Sequence, residues 1–135
     1  MAEHDSKIKH LELIQLTIGR MASNSFLLKA WSTAIIAALF ALAANDSNGT
    51  FIIVAYVPLI TFWGLDAYYV TLERRFRHLY DIVRVKTEDQ IDFSMEPPHL
   101  SNIFLEWFRA VISLTISAFY LPFIVLTFII RLIIR

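Results

Sequence analysis

The chain contains no cysteine, which excludes disulfides, thiol catalysis and cysteine metal sites. Glycine occurs only 3 times, and no glycine-rich phosphate loop is present. Neither charge predominates: 12 basic residues balance 12 acidic ones, so net charge points to no partner and no nucleic acid is expected. The four histidines, His4, His10, His78 and His99, lie far apart. None shows the i, i+4 spacing of a helical metal site, so no metal or cofactor is expected. No serine–histidine–acid set or paired carboxylates are recognisable, and the chain does not read as an enzyme. The polar N-terminus Met1–Lys9 does not read as a signal peptide.

What is abundant is hydrocarbon. Hydrophobic residues make up 57% of 135 residues, above the usual share for soluble domains. Residues 27–44 form a run interrupted only by Lys29, Ser32 and Thr33, and residues 51–70 form another with Asp66 near its end. Between them lies the polar turn Asn45-Asp46-Ser47-Asn48-Gly49-Thr50. Two such runs with so short a link predict a transmembrane helical hairpin. The turn also holds two consecutive glycosylation tripeptides, Asn45-Asp46-Ser47 and Asn48-Gly49-Thr50, although turn chemistry alone accounts for these residues. A third run, Ala110–Ile130, carries no charge.

The flanks have their own pattern. Residues 4–25 read as an amphipathic helix, with Leu11, Ile14, Ile18, Met21, Ser25 and Leu28 at alternating steps of three and four. Asp5 or Ser6 is the expected cap. With no breaker after Gly19, this helix should run into the first span. Its seam suits packing on its own subunit, on headgroups, or on a second copy. After the interfacial pair Tyr68-Tyr69, residues 73–86 continue as a basic helix with Arg74, Arg75, Arg77 and Arg84. These arginines suit topology anchoring, anionic headgroups or a phosphorylated ligand. Residues 87–101 form an acidic linker ending near Pro97-Pro98. Ser101 or Asn102 should cap a last helix over 102–135, kinked or broken at Pro122.

Basic residues set the expected topology. Lys7, Lys9, Arg20 and Lys29 precede the first span, and Arg74, Arg75, Arg77, Arg84 and Lys86 follow the second. The N-terminus and the 73–100 segment are therefore expected in the cytoplasm. Arg131 and Arg135 then fall outside, unless Pro122 folds the last segment back as a re-entrant hairpin.

Two constellations could carry function. In a hairpin centred on the turn, residues at equal depth have numbers adding to about 95, and Lys29 and Asp66 meet that condition. They are expected to pair, either as a structural lock on register or as a gate. The last helix carries a polar stripe of Asn102, Glu106, Arg109, Ser113, Ser117, Tyr120, Thr127 and Arg131, with Ile124 as its one apolar member. The stripe suits interhelical hydrogen bonding, or the lining of a pore made by several subunits with Ile124 as a hydrophobic constriction.

Two stretches carry a resemblance. One is Gly19-Arg20-Met21-Ala22-Ser23-Asn24-Ser25-Phe26, and the other Phe62-Trp63-Gly64-Leu65-Asp66-Ala67-Tyr68-Tyr69 followed by Glu73-Arg74-Arg75-Phe76-Arg77. They resemble a family of small bacterial inner-membrane proteins over roughly residues 8–85. Members occur beside antiphage defence genes, which implies a membrane-disrupting effector. The family pattern defines no catalytic residue. It singles out Arg20, Asn24, Lys29, Asp66 and Arg74.

Together these readings predict an all-α integral membrane protein: a transmembrane hairpin, a third long Pro-kinked transmembrane helix and amphipathic cytoplasmic extensions. Its expected partners are membrane lipid, further copies of itself, and a cytoplasmic activating protein or anionic ligand bound by Arg20, Asn24 and the arginine cluster. The expected function is a pore that depolarises the bacterial inner membrane. The rival is a non-conducting scaffold or sensor.

Overall fold

A computed structural model describes residues 2–45, 50–98 and 102–133. Ordered by sequence, α1 spans Ala2–Ala43, α2 Thr50–Val54, α3 Tyr56–Val85, α4 Ile103–Val111 and α5 Leu114–Ile133, with a 3-10 turn at Glu88–Gln90. The described residues contain no strand. Three stretches are long and apolar enough to cross a membrane: within Asp5–Ala43, within Thr50–Val85, and Leu114–Ile133. The turn residues 46–49, the cap candidate Ser101, His99 and Arg135 lie outside the described residues.

The expected amphipathic helix and first apolar run are one element, α1, because nothing between residues 25 and 27 breaks an intrahelical bond. At 1.5 Å per residue it is about 63 Å long, roughly twice the thickness of a bilayer's hydrocarbon core. Its start differs from expectation: Asp5 and Ser6 lie inside the helix, since α1 already begins at Ala2. The second run and the basic segment likewise join in α3. The short α2 is set off from α3 at Ala55 because Pro58 lacks the N–H that would bond to the Val54 carbonyl.

α1 and α3 pack antiparallel along their lengths. Beyond the apolar runs, Ile14 and Ile18 of α1 are buried with Leu79 and Val83 of α3 and with Ile91 of the linker. The periodic seam of α1 is thus filled by the same chain. Lys7 Nζ closes this end by donating to the carbonyls of Arg84 and Lys86, at 3.2 and 2.7 Å. Ile14 is fully buried, so Ile14→Ala should cost about 2–5 kcal/mol through lost transfer energy and an unfilled cavity. Thermal unfolding in detergent, followed by circular dichroism, checks this.

The linker folds back over this arm. Ser94 donates its backbone N–H to Asp92 Oδ1 at 3.1 Å, and that bond holds the Asp92 carboxyl below the ordinary carboxylate range. Phe93 adopts a left-handed φ of 54°, unfavourable for a bulky residue. It sets its ring edge-on to buried His10, with centroids 5.6 Å apart.

The last segment departs most from expectation. It is not one helix over 102–135 broken at Pro122. Asn102 caps α4 as expected, its side chain accepting from Phe104 N–H. The chain then breaks at Ile112–Ser113, and Pro122 is carried inside α5. The break has a hydrogen-bonding cause. The Ala110 carbonyl accepts from both Ser113 N–H and Ser113 Oγ, at 3.0 and 2.7 Å. The Val111 carbonyl accepts from Ser117 Oγ and from the indole of Trp63 on α3, at 3.1 and 3.0 Å. With these acceptors occupied, the i, i+4 ladder does not carry through.

Candidate functional site

The helices meet at two polar centres. The first forms where α1, α3 and α5 converge. Lys29 Nζ lies 2.5 Å from Asp66 Oδ2, with Asp66 fully buried. Antiparallel α1 and α3 bring these residues level, the relation that depth matching anticipates. Ser25, one helical turn before Lys29, donates its hydroxyl to Asp66 Oδ1 and accepts from Lys29 Nζ at 2.9 Å. Its position in the apolar seam now has a reason. A leucine there would leave a buried carboxylate oxygen without a donor.

Tyr120 of α5 completes this centre. It is fully buried and stacks on Trp63, with rings 9° from parallel and centroids 6.0 Å apart. Its hydroxyl faces Ser32 and Asp66 but makes no well-formed hydrogen bond. Phe119 sits beside it, beneath the Lys29 ammonium at 5.9 Å. That distance is at the edge of cation–π range.

The second centre lies between α3 and α4. Arg75 Nε donates to Glu106 Oε2 at 2.5 Å, and both side chains are largely buried. A cavity of about 180 Å³ opens here, lined by Thr71, Arg74, Arg75, Glu106 and Arg109. The remaining arginines of the cluster turn elsewhere. Arg77 pairs with Glu73 at 2.7 Å and Arg84 with Asp81 at 3.2 Å, both within α3 and both exposed.

Two tryptophans tie the centres together. Trp63 of α3 donates to the Val111 carbonyl of α4, and Trp107 of α4 donates to the Gly64 carbonyl of α3 at 2.9 Å. Buried indole N–H groups require such acceptors. Around them pack Ala67, Val70, Ala110 and Ile116. Trp107 packs over Gly64 at a distance where an added Cβ would make ordinary contact with its ring edge, at 3.5 Å.

The polar stripe is therefore distributed rather than continuous. Glu106 belongs to the α3–α4 pair, Tyr120 to the three-helix centre, and Thr127 is buried with its hydroxyl returned to the Phe123 carbonyl at 2.6 Å. Ser113 and Ser117 satisfy α4 carbonyls. Ile124 and Arg131 are half-buried, and Arg109 is exposed. The break at Ile112–Ser113 ends the single helical phase that placed all of these on one line. Arg20 is exposed on α1, and Asn24 is half-buried one turn later. Neither joins the two centres.

The pairing of Arg75 with Glu106, the convergence of Arg109 on Arg74, and the roles of Ser25, Trp63 and Trp107 were not legible in the sequence. The tryptophans carried the one available signal, since an indole N–H in an apolar run needs an acceptor beyond its own helix. Comparison of the chain with protein-family models, with curated proteins and with solved structures finds no match.

Proposed function

We propose that the chain is a multi-pass protein of the bacterial inner membrane that acts as a sealed anchor and sensor, docking a partner through its cytoplasmic arm. The observation that carries this reading is the inward matching of polar groups. Asp66, Lys29, Ser25, Glu106 and Arg75 find partners within one subunit, which leaves apolar side chains such as Phe26, Trp31, Ile60 and Leu121 on the outside. Such a surface suits lipid or a second copy. The arm formed by α1, the end of α3 and the folded-back linker supplies the docking face. It holds a cavity of about 520 Å³ lined by residues that include Lys9, His10, Leu13, Phe93 and Met95.

A second reading keeps the same bundle as the resting state of a homo-oligomeric pore in antiphage defence. Its support is specific: Ser113, Ser117 and Ile124 of the stripe remain only part-covered within one subunit, so neighbouring copies could complete a path along α5. The Lys29–Asp66 pair would then act as a latch.

Ion flux from proteoliposomes separates the two. The sealed-anchor reading expects no flux from wild type and none from Ile124→Ser, with folded protein confirmed in the bilayer. Flux that rises with Ile124→Ser would replace it with the pore reading, because a polar residue at a dewetting constriction lowers the barrier to ions.

A further inference from the structure

The geometry points to a phosphate-binding site between α3 and α4, formed by Arg74, Arg75 and Arg109. It deepens the docking reading, on which it rests for the orientation of the arm, by naming the chemistry of an anionic ligand. The cavity has about 180 Å³ of space, several water molecules' worth at about 30 Å³ each, and so has room for a phosphate group. Three guanidinium groups and one carboxylate line it, a local excess of two positive charges.

The three arginines differ in their partners. Arg75 is buried and held by Glu106, so its guanidinium is fixed in place before any ligand arrives. Arg74 and Arg109 are exposed at the rim, and among the described residues neither forms an ion pair. Glu106 offsets one of the three like charges in this cleft, and an anion between the others relieves the repulsion that is left. Guanidinium forks match phosphate oxygens in a way that lysine does not. Glu106 opposes the anion directly but orients Arg75, and the balance remains positive.

Position favours a lipid headgroup as the source of the phosphate. The site begins at Thr71, directly after the apolar run that ends at Val70. α4, which supplies Arg109, also exposes Phe104, Leu105 and Phe108. A short helix that exposes apolar side chains beside a basic one suits the headgroup boundary. Basic pockets at this depth bind anionic headgroups.

The test uses the full chain, reconstituted in vesicles of phosphatidylcholine and phosphatidylglycerol. After extraction in mild detergent, native mass spectrometry reads the retained lipid. In parallel, inorganic phosphate is titrated onto delipidated protein and followed by phosphorus-31 line broadening. Arg74→Gln and Arg109→Gln are compared with Arg77→Gln, whose arginine points elsewhere. Near-UV circular dichroism confirms that each variant is folded.

Retained phosphatidylglycerol that falls about tenfold or more in Arg74→Gln and Arg109→Gln, but not in Arg77→Gln, supports the site with a lipid source. Phosphate binding with the same arginine dependence, without selective lipid retention, supports the site with a soluble phosphorylated source. Equal behaviour of all three variants in both assays overturns the proposal. Both readouts work with no partner protein present, so a failure of the docking reading leaves them unchanged.

Discussion

Lys29→Met should destabilise the protein by about 3–5 kcal/mol. The substitution removes the ammonium and leaves Asp66, fully buried, with the Ser25 hydroxyl but no opposite charge. Breaking a buried pair by removing one member strands a charge, and that costs more than the pair itself contributes. The reverse change should be milder. Lys29 retains 19% side-chain exposure, so in Asp66→Asn its long stem can carry the ammonium outward. The double variant Lys29→Met/Asp66→Asn should recover much of the loss, because no charge is left to bury. Reversible unfolding in detergent across this double-mutant cycle measures the coupling. Equal costs for the two single variants, or simple additivity in the double, would mean that the pair is solvated rather than buried.

Tyr120→Ala should cost about 3–5 kcal/mol, as removal of a large aromatic from a packed site does. Tyr120 is fully buried against Trp63, Phe119, Ile116 and Ala110. Tyr120→Phe separates packing from hydrogen bonding. The hydroxyl makes no well-formed hydrogen bond, so its removal should change stability by less than about 1 kcal/mol and in the stabilising direction, since desolvating an unmatched hydroxyl is unfavourable. The midpoint of thermal unfolding for the two variants reads both effects. If Tyr120 instead faces water in an assembled protein, Tyr120→Ala would be tolerated, and the three-helix centre would be open in that state.

Both predictions turn on a region where part of the geometry was open to sequence reasoning. Lys29 and Asp66 could be paired because α1 and the α2–α3 stretch are long helices joined by a short turn. In such an arrangement depth is set by counting, at 1.5 Å per residue. The same logic reached the seam at Ile14 and Ile18, since a three- and four-residue spacing marks one helical face whatever covers it. It did not reach the identity of the cover. A periodic apolar stripe fits any complementary stripe, and the choice of α3 over a second copy rests on where the chain returns.

The last third of the chain resisted the same reasoning. Counting from Asn102 through Arg131 assumes one uninterrupted helical phase, and Pro122 was the natural place to end it. The helix instead ends at Ile112–Ser113, where Ser113, Ser117 and the distant Trp63 take up the carbonyls that would have continued it. The serines are close by in sequence, but Trp63 lies 48 residues away, and its part in the break has no local signal.

By itself, then, the sequence determined the helical class, the three apolar stretches and the level at which Lys29 meets Asp66. These follow from periodicity, hydropathy and the fixed rise of a helix, which act within a segment or across a short turn. The tertiary structure alone decided that α4 and α5 are separate, that Arg109 joins Arg74 and Arg75, and that Glu106 and Tyr120 serve different centres. Those outcomes depend on how α4 and α5 settle against α3 after a linker of unconstrained path. Their rotation is chosen by buried hydrogen bonds and packing that no single segment encodes.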